Sequence, residues 1–475
     1  MNIISIRIKS YKYFLYSLFY FARKNKQLAK NYYLLSLTNQ GTRNFSLENK
    51  LDNFYSKKDK KIKIAVSGWE LSHNAAGRAI TLAELYHYAG FNDVEMIGSI
   101  INSKSKQARK IWQPLLSHHI PVNYFSIGRN DIDAIVSKTM EFVVQNPYDI
   151  VHLSKPRITN IVIGLMYKLI WGSTVIIDID DEELAFGTSN INHLKSTDDS
   201  LKENIRDVFW TKKAIQLIEN FDLVSVSNPA LQKKYGGFII PHVRNENIFV
   251  PSDNRKNSIR KKFNIPVDKI VVIFFGTPKR HKGIIETAKV LAALNDDRIL
   301  YTIVGDFQDK SLKHELESIS GINICFLPNQ RFDEAADIVS MGDICILLQE
   351  KNNDISKYQL PAKLVDALGM GLKIFIQKTE ATANLSEGSQ IEFVDLDNLE
   401  YCLKNYLENE HGKGNEILSQ REYFLENFSM SSAVDDINYI IKNYEDKNNM
   451  SGVNYENITY YSKLNLFSLI KKCRF

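Results

Sequence analysis

Apolar positions along the chain alternate between two rhythms. Short runs rich in β-branched residues begin with IAVSGWE at Ile64 and continue with VEMIGSI, YDIVHLS, STVIIDID, FDLVSVS and GFIIP. Each has the length of a strand buried in a sheet. Between them stand segments with apolar residues at helical spacing, among them ITNIVIGLMYKLIW and AITLAELYHYAG, the latter closed by Gly90. Strand, helix and strand in this order predict a parallel sheet with crossover helices. The charged stretch PSDNRKNSIRKKFNIPVDK reads as a linker, and after it the pattern starts again. IVVIFFG, LYTIVG, INICFLP, GDICILLQ and LKIFIQ supply its strands, and IIETAKVLAAL, DEAADIVSM and PAKLVDALGMG its helices. The expected fold class is α/β, two Rossmann-like doubly wound domains in tandem. Ligands of such sheets bind beyond the C-terminal strand ends, which places the expected site in an interdomain cleft.

A length of 475 residues with 44% hydrophobic composition accommodates two or three domains. The pattern divides the chain at 1–60, 61–250, 251–430 and 431–475, the first a basic aromatic extension, the last a helix with a basic tail. Cys325, Cys345, Cys402 and Cys473 form no CxxC pair, so neither a disulfide framework nor a zinc site is suggested, and a reducing cytoplasmic compartment fits. The net charge of +5 conceals an asymmetry: residues 1–60 hold 12 Lys or Arg against 3 Asp or Glu, +9, which leaves −4 for the rest. Basic character confined to one end argues against nucleic acid as a partner.

That end, MNIISIRIKSYKYFLYSLFYFARKNK, has an apolar stretch far shorter than the roughly 20 residues that span a bilayer. No small-residue cleavage site follows it. Two readings stand: a helix lying on an anionic membrane surface through its aromatic face and basic flanks, or a helix packed against the body. The tail YYSKLNLFSLIKKCRF has the same flavour and favours the first. Peripheral contact with the inner face of the plasma membrane is therefore expected through residues 1–30 and 460–475.

Candidate chemistry concentrates in two places in the second run. The loop FFGTPKRHKGI sets Gly276 directly after a buried strand and Lys279, Arg280 and Lys282 just before a helix N-terminus. Backbone N–H groups, the helix dipole and neighbouring cations favour a phosphate there; a solvated basic turn is the bland alternative. In ISKYQLPAKLVDALGMGLKIFI, Pro361 precedes a helix on which Lys363 and Asp366 stand three residues apart. A carboxylate so placed can accept ribose hydroxyls, as acidic residues do in other doubly wound folds; an ordinary surface ion pair is the plainer reading.

Together these residues resemble family 4 of the retaining GT-B glycosyltransferases, over about Lys61 to Lys442. HNAAGRAITLAEL resembles that family's first loop and helix, and IIPHVRNENIFVP a variant of its mid-chain turn. Gly276, Lys282 and Gly283 match a GxxxxxKG loop that grips the donor diphosphate. Pro361, Lys363, Asp366 and Gly371 match a P-x-K-x-x-E-x-x-x-x-G helix that holds the donor ribose, and GDICILL the strand before it. The resemblance implies a hexosyl or related transferase of polysaccharide assembly, moving sugar from a UDP- or GDP-sugar to a glycan or lipid-linked acceptor. It implies no tightly bound cofactor and no metal.

In this scheme Arg280 and Lys282 stabilise the departing diphosphate, while Gly276, Thr277, Lys279, Gly283, Pro361, Lys363, Leu364 and Asp366 bind the donor. The acceptor side draws on Asn74, Gly77, Arg78, His152, Lys155, Arg157, Asp180 and Asp181, with Asp354 and Tyr358. The clustered acids after STVIIDID suit a metal or an acceptor hydroxyl, and the family habit favours the second. Three positions depart from the family. Thr277 stands where arginine is usual, leaving Arg280 or Lys279 to supply a second cation; Asp366 replaces glutamate, and Tyr358 replaces an acidic residue. These departures keep open a catalytically decayed nucleotide-sugar binding protein. A GT-B epimerase or phosphorylase is a lesser alternative, and no GxGxxG supports a dehydrogenase.

Overall fold

The computed structural model describes residues 3–52, 61–102, 109–185, 204–349, 354–385, 391–408, 413–447 and 452–472. The chain forms two compact units: Met1–Ser225 with Asp436–Phe475, and Val226–Asp435. Residues on either side of the sequence-based divisions at 60 and 430 thus join these two bodies.

The first sheet has the order β3-β2-β1-β4-β5-β6-β7. Its strands are β1 (Ile64–Gly68), β2 (Val94–Asn102), β3 (Val122–Gly128), β4 (Ile150–Ser154), β5 (Thr174–Ile179), β6 (Leu223–Val226) and β7 (Phe238–Ile239). β1 pairs in parallel with β2 and β4, with Ile64 opposite Val94 on one side and Ile150 on the other. Every residue of β1, β4 and β5 is buried, as a strand covered by helices on both faces requires. The helix Ile158–Trp171 has the bounds its pattern predicted and ends on left-handed Gly172.

The second sheet has the order β10-β9-β8-β11-β12-β13. It contains β8 (Ile270–Phe275), β9 (Ile299–Val304), β10 (Asn323–Leu327), β11 (Ile344–Leu347), β12 (Lys373–Gln377) and β13 (Ile391–Val394). Alternate residues of β8 serve opposite faces: Val271, Ile273 and Phe275 join one apolar core, and Val272 and Phe274 the other. The charged stretch read as a linker is largely a helix, Asp253–Lys262, capped by Ser252. Arg260 is buried on it and donates to the Met341 carbonyl and the Asp343 carboxylate.

The described part of the basic extension forms three helices on the first unit, Ile3–Ala22, Lys26–Thr38 and Phe45–Asp52. The second packs against the helices Ile132–Gln145 and Tyr455–Tyr461, and the C-terminal helix Leu466–Lys472 also meets Ile132–Gln145. Lys30 reaches Asp52 at 2.8 Å, and the Tyr455 hydroxyl donates to the same carboxylate at 2.8 Å. No helix among the described residues is long and apolar enough to cross a membrane.

Candidate functional site

In the second unit, β8 delivers the chain to Gly276, whose φ of 98° favours glycine. A Cβ there would lie 3.2 Å from the Lys363 amine and 3.3 Å from its Cε, so this side chain fills the space above the glycine. Lys282 donates from Nζ to the Thr277 carbonyl at 2.8 Å. Both amines approach the Phe274 ring, Lys363 at 5.2 Å and Lys282 at 6.0 Å from its centroid. Burial lowers the Lys363 ammonium pKa, and Asp366 and Cys345 oppose that shift. Two cations thus converge on one glycine turn at a C-terminal strand end, ahead of the helix Ile284–Leu294. Gly283 allows the turn to close: at φ 63°, it sits where a Cβ would clash with the Leu348 side chain.

Arg280 points elsewhere. Its guanidinium contacts Glu315 at 2.6 Å, Asp309 at 3.3 Å and the Ser311 hydroxyl at 3.0 Å, all exposed. Lys279 is extended and exposed, and Thr277 is half-buried. Pro361 immediately precedes the helix Ala362–Gly369, and Leu364 belongs to the apolar core. Asp366 is buried and takes an ion pair from Arg244 Nε at 2.5 Å. Arg244 went unremarked within IIPHVRNENIFVP; only its excess of donors for an isolated turn would have marked it. Asp354 is exposed at the start of the helix Asp354–Tyr358, and the Tyr358 carbonyl accepts from Asn228 Nδ2 at 2.9 Å. An open cavity of about 590 Å³ lies beyond β9 and β10, lined by Gly305, Asp306, Phe307, Lys310, Phe326 and Pro328.

In the first unit, the acceptor-side candidates form two buried networks. Arg78 holds Asp178 in a bidentate pair, Nε to Oδ2 at 2.9 Å and Nη2 to Oδ1 at 2.8 Å. Burial works against the Asp178 carboxylate, but Arg78 and the donating Ser225 hydroxyl hold its pKa below the usual range. His152 lies between the Tyr86 hydroxyl, 3.2 Å from Nδ1, and the Ser225 hydroxyl, 3.1 Å from Nε2. Burial pushes its pKa down to about 4, with Asp178 opposing, so the ring is neutral at pH 7.

The second network centres on Lys155, which follows β4 with a φ of 77°. Its ammonium lies 2.8 Å from Asp180, 2.8 Å from Asp181 and 3.0 Å from Glu183. Among the described residues these carboxylates alone have the convergence a metal ion needs, and the ammonium bridges all three. Burial, aided by Asp181 and Asp178 and opposed by Lys155, pushes Asp180 up to about 7. Arg157 stacks 4.5 Å from the Trp69 ring and donates to the Thr211 hydroxyl at 2.9 Å. Asn74 is exposed on a short turn, and Gly77 begins the helix Gly77–Tyr88 with an ordinary φ of −58°. Glu183 was missed, although it lies in the acidic run.

No family profile and no curated protein matches the sequence. Solved structures do. Anabaena HepE in complex with UDP and glucose aligns with a TM-score of 0.60 at 16% identity, covering 80% of this chain and 99% of that one. Sucrose-phosphate synthase from Thermosynechococcus elongatus gives 0.58 at 14% identity, with 80% and 98% covered. WaaG, a glycosyltransferase involved in lipopolysaccharide biosynthesis, gives 0.54 at 14% identity, with 79% and 99% covered. At such identities the likeness speaks for architecture: two Rossmann-like units with parallel sheets of seven and six strands, the GT-B glycosyltransferase fold.

Proposed function

We propose that this chain is a glycosyltransferase, of the family 4 type, that transfers a hexosyl or related group from a nucleotide sugar with retention of configuration. The observation that carries the reading is the pair of amines, Lys282 and Lys363, gathered on the Gly276 turn. As the acceptor hydroxyl bonds to the anomeric carbon, the bond to the diphosphate breaks, and negative charge grows on the leaving group, whose oxygen takes up the hydroxyl proton. Fixed ammonium groups beside that charge stabilise the transition state. Lys363 takes the second-cation role that Thr277 leaves vacant, in preference to Arg280, which is engaged by Glu315 and Asp309. The cavity beside Gly305 and Phe307 offers room for the nucleoside. UDP-sugars are the first donors to test, since HepE is similar in fold and binds UDP-glucose.

The proposed acceptor is a glycan or a lipid-linked saccharide of surface polysaccharide assembly, met at the cytoplasmic face of the membrane. The basic N-terminal segment and the similarity to WaaG support this setting. Thermal stabilisation by a panel of nucleoside diphosphates and nucleotide sugars tests the donor half. A shift with one nucleotide class, lost in Lys282→Ala and Lys363→Met, supports it; no shift with any of them overturns it. Binding without hydrolysis or transfer favours a decayed nucleotide-sugar binding protein, a reading that the engagement of Asp366 by Arg244 also suits.

A further inference from the structure

The helix Ile3–Ala22 is apolar on both sides, with Tyr13 and Phe14 set inward against the rings of Tyr32 and Tyr33. Its inward side carries two buried serines: the Ser10 hydroxyl donates to the Ser36 carbonyl at 3.1 Å, and the Ser17 hydroxyl to the Ala29 carbonyl at 2.8 Å. Its outward side carries Ile8, Tyr11, Leu15, Leu18 and Phe19, the first two about two-thirds exposed at 64% and 65%. Spacings of three and four residues align them in one stripe along the helix. An exposed apolar stripe costs hydration free energy along its whole length, and large exposed patches of this kind mark interaction surfaces.

Charge decides what covers it. Residues 1–47 hold eight Lys or Arg and no Asp or Glu. Arg7 and Lys24 are exposed at the two ends of the stripe, Lys12 lies beside the Tyr16 ring, and the Arg23 guanidinium stacks 4.4 Å from the Phe19 ring. None of these four has a carboxylate partner among the described residues, whereas Lys9 pairs with Glu141 and Lys30 with Asp52 toward the body. A two-fold pairing with a second copy would set these like charges against each other. An anionic lipid surface accepts aromatic side chains at its headgroup level and attracts the flanking cations.

We infer that the outward face of the helix Ile3–Ala22 docks on an anionic lipid bilayer, with the serine face fixing the helix to the first unit. This gives the membrane setting of the proposed function a definite surface and is independent of the donor chemistry.

The test is co-sedimentation of the full chain with phosphatidylcholine vesicles, with and without phosphatidylglycerol, at low and high salt. The expected result is binding that requires the anionic lipid and weakens with salt. Leu15→Ser with Phe19→Ser should abolish it, and Lys12→Gln with Arg23→Gln should lower it on the order of tenfold. All four side chains leave the interior untouched, so thermal unfolding and nucleotide-induced stabilisation should match the wild type. If the apolar variant fails to fold, the charge variant decides. Binding unchanged in the charge variant, equal binding to neutral vesicles, or self-association by light scattering in place of vesicle binding would each overturn the inference. Loss of nucleotide stabilisation with vesicle binding intact would count against the donor reading alone.

Discussion

The Lys363 amine occupies the space over Gly276 that any other residue's Cβ would enter, at 3.2 Å. The two positions are linked through this contact although they stand 87 residues apart in sequence. Gly276→Ala therefore combines backbone strain of about 1–2 kcal/mol with displacement of the amine. Lys363→Met keeps the stem and removes the charge. A charged hydrogen bond contributes about 1.5–3 kcal/mol, so nucleoside diphosphate affinity should fall roughly ten- to hundredfold in Lys363→Met. Titration calorimetry checks this, and an unchanged affinity would remove Lys363 from the site.

Arg280 and Lys282 are two residues apart and should behave differently. Arg280 is held at the surface by Glu315, Asp309 and Ser311. Lys282 folds back onto the Thr277 carbonyl of the glycine turn. Arg280→Ala should change nucleotide affinity by less than about threefold, because exposed pairs of this kind contribute little. Lys282→Ala should lose at least about tenfold. Calorimetry of both variants with the same nucleoside diphosphate separates these outcomes, and the opposite order would return Arg280 to the diphosphate.

The Arg244–Asp366 pair is the least expected feature of the donor side. Removing one partner leaves the other charge largely buried, an uncompensated state that costs about 3–5 kcal/mol in fully buried pairs and less here. Arg244→Met and Asp366→Asn should each destabilise the protein. A double-mutant cycle should return a coupling of about 1–3 kcal/mol. Chemical denaturation measures it; additive single effects would mean that the pair holds no mutual energy.

How legible these features were follows from burial. Interior strands such as β4 and β8 read easily because both faces are covered and their apolar runs are nearly continuous. β3 and β13 went unread. Both are edge strands, and in β3 polar and half-exposed residues interrupt the apolar signal. The helix Asp253–Lys262 was taken for linker because only Arg260 on it is buried, so it shows no apolar stripe. The Gly276 turn and Lys363 were each visible as local motifs. Their contact was not, nor were the pairs Arg78–Asp178 and Arg244–Asp366, because parallel sheets bring together residues about a hundred positions apart. Sequence periodicity carries no record of which charge meets which.

Two buried groups set opposing pH dependences in the first unit. His152 is pushed down to about 4 by burial. Between pH 6.5 and 4 the unfolded chain binds a proton there that the folded chain does not, so stability is lost as pH falls through this window. Asp180 is pushed up to about 7 by burial. Between pH 7 and about 3.9 the folded chain holds a proton that the unfolded chain lacks, and stability is gained as pH falls. The His152 shift amounts to about 3 kcal/mol and the Asp180 shift to about 4 kcal/mol, so the two largely offset each other. Relative to wild type, Asp180→Asn should lose melting temperature on acidification from pH 7 to 4.5, and His152→Gln should gain it. Parallel melting curves for all three proteins would show that neither burial governs titration.

Lys155 combines a left-handed backbone with an ammonium shared by Asp180, Asp181 and Glu183. Lys155→Gly separates the two properties. Glycine adopts a φ of 77° freely, which favours the variant by up to about 1 kcal/mol, while the lost ammonium leaves three carboxylates without their shared cation. The charge effect is the larger, so the variant should melt several degrees below wild type in chelator. The carboxylate oxygens already converge within 4.8 Å of one another. Millimolar Mn²⁺ or Ca²⁺ should therefore stabilise Lys155→Gly by several degrees and shift the wild type far less, because in the wild type the ion must displace an ammonium bonded to all three groups. Thermal unfolding with and without each ion measures both effects. Equal shifts in the two proteins would mean that the ion binds elsewhere and that the carboxylates do not depend on Lys155 for their arrangement.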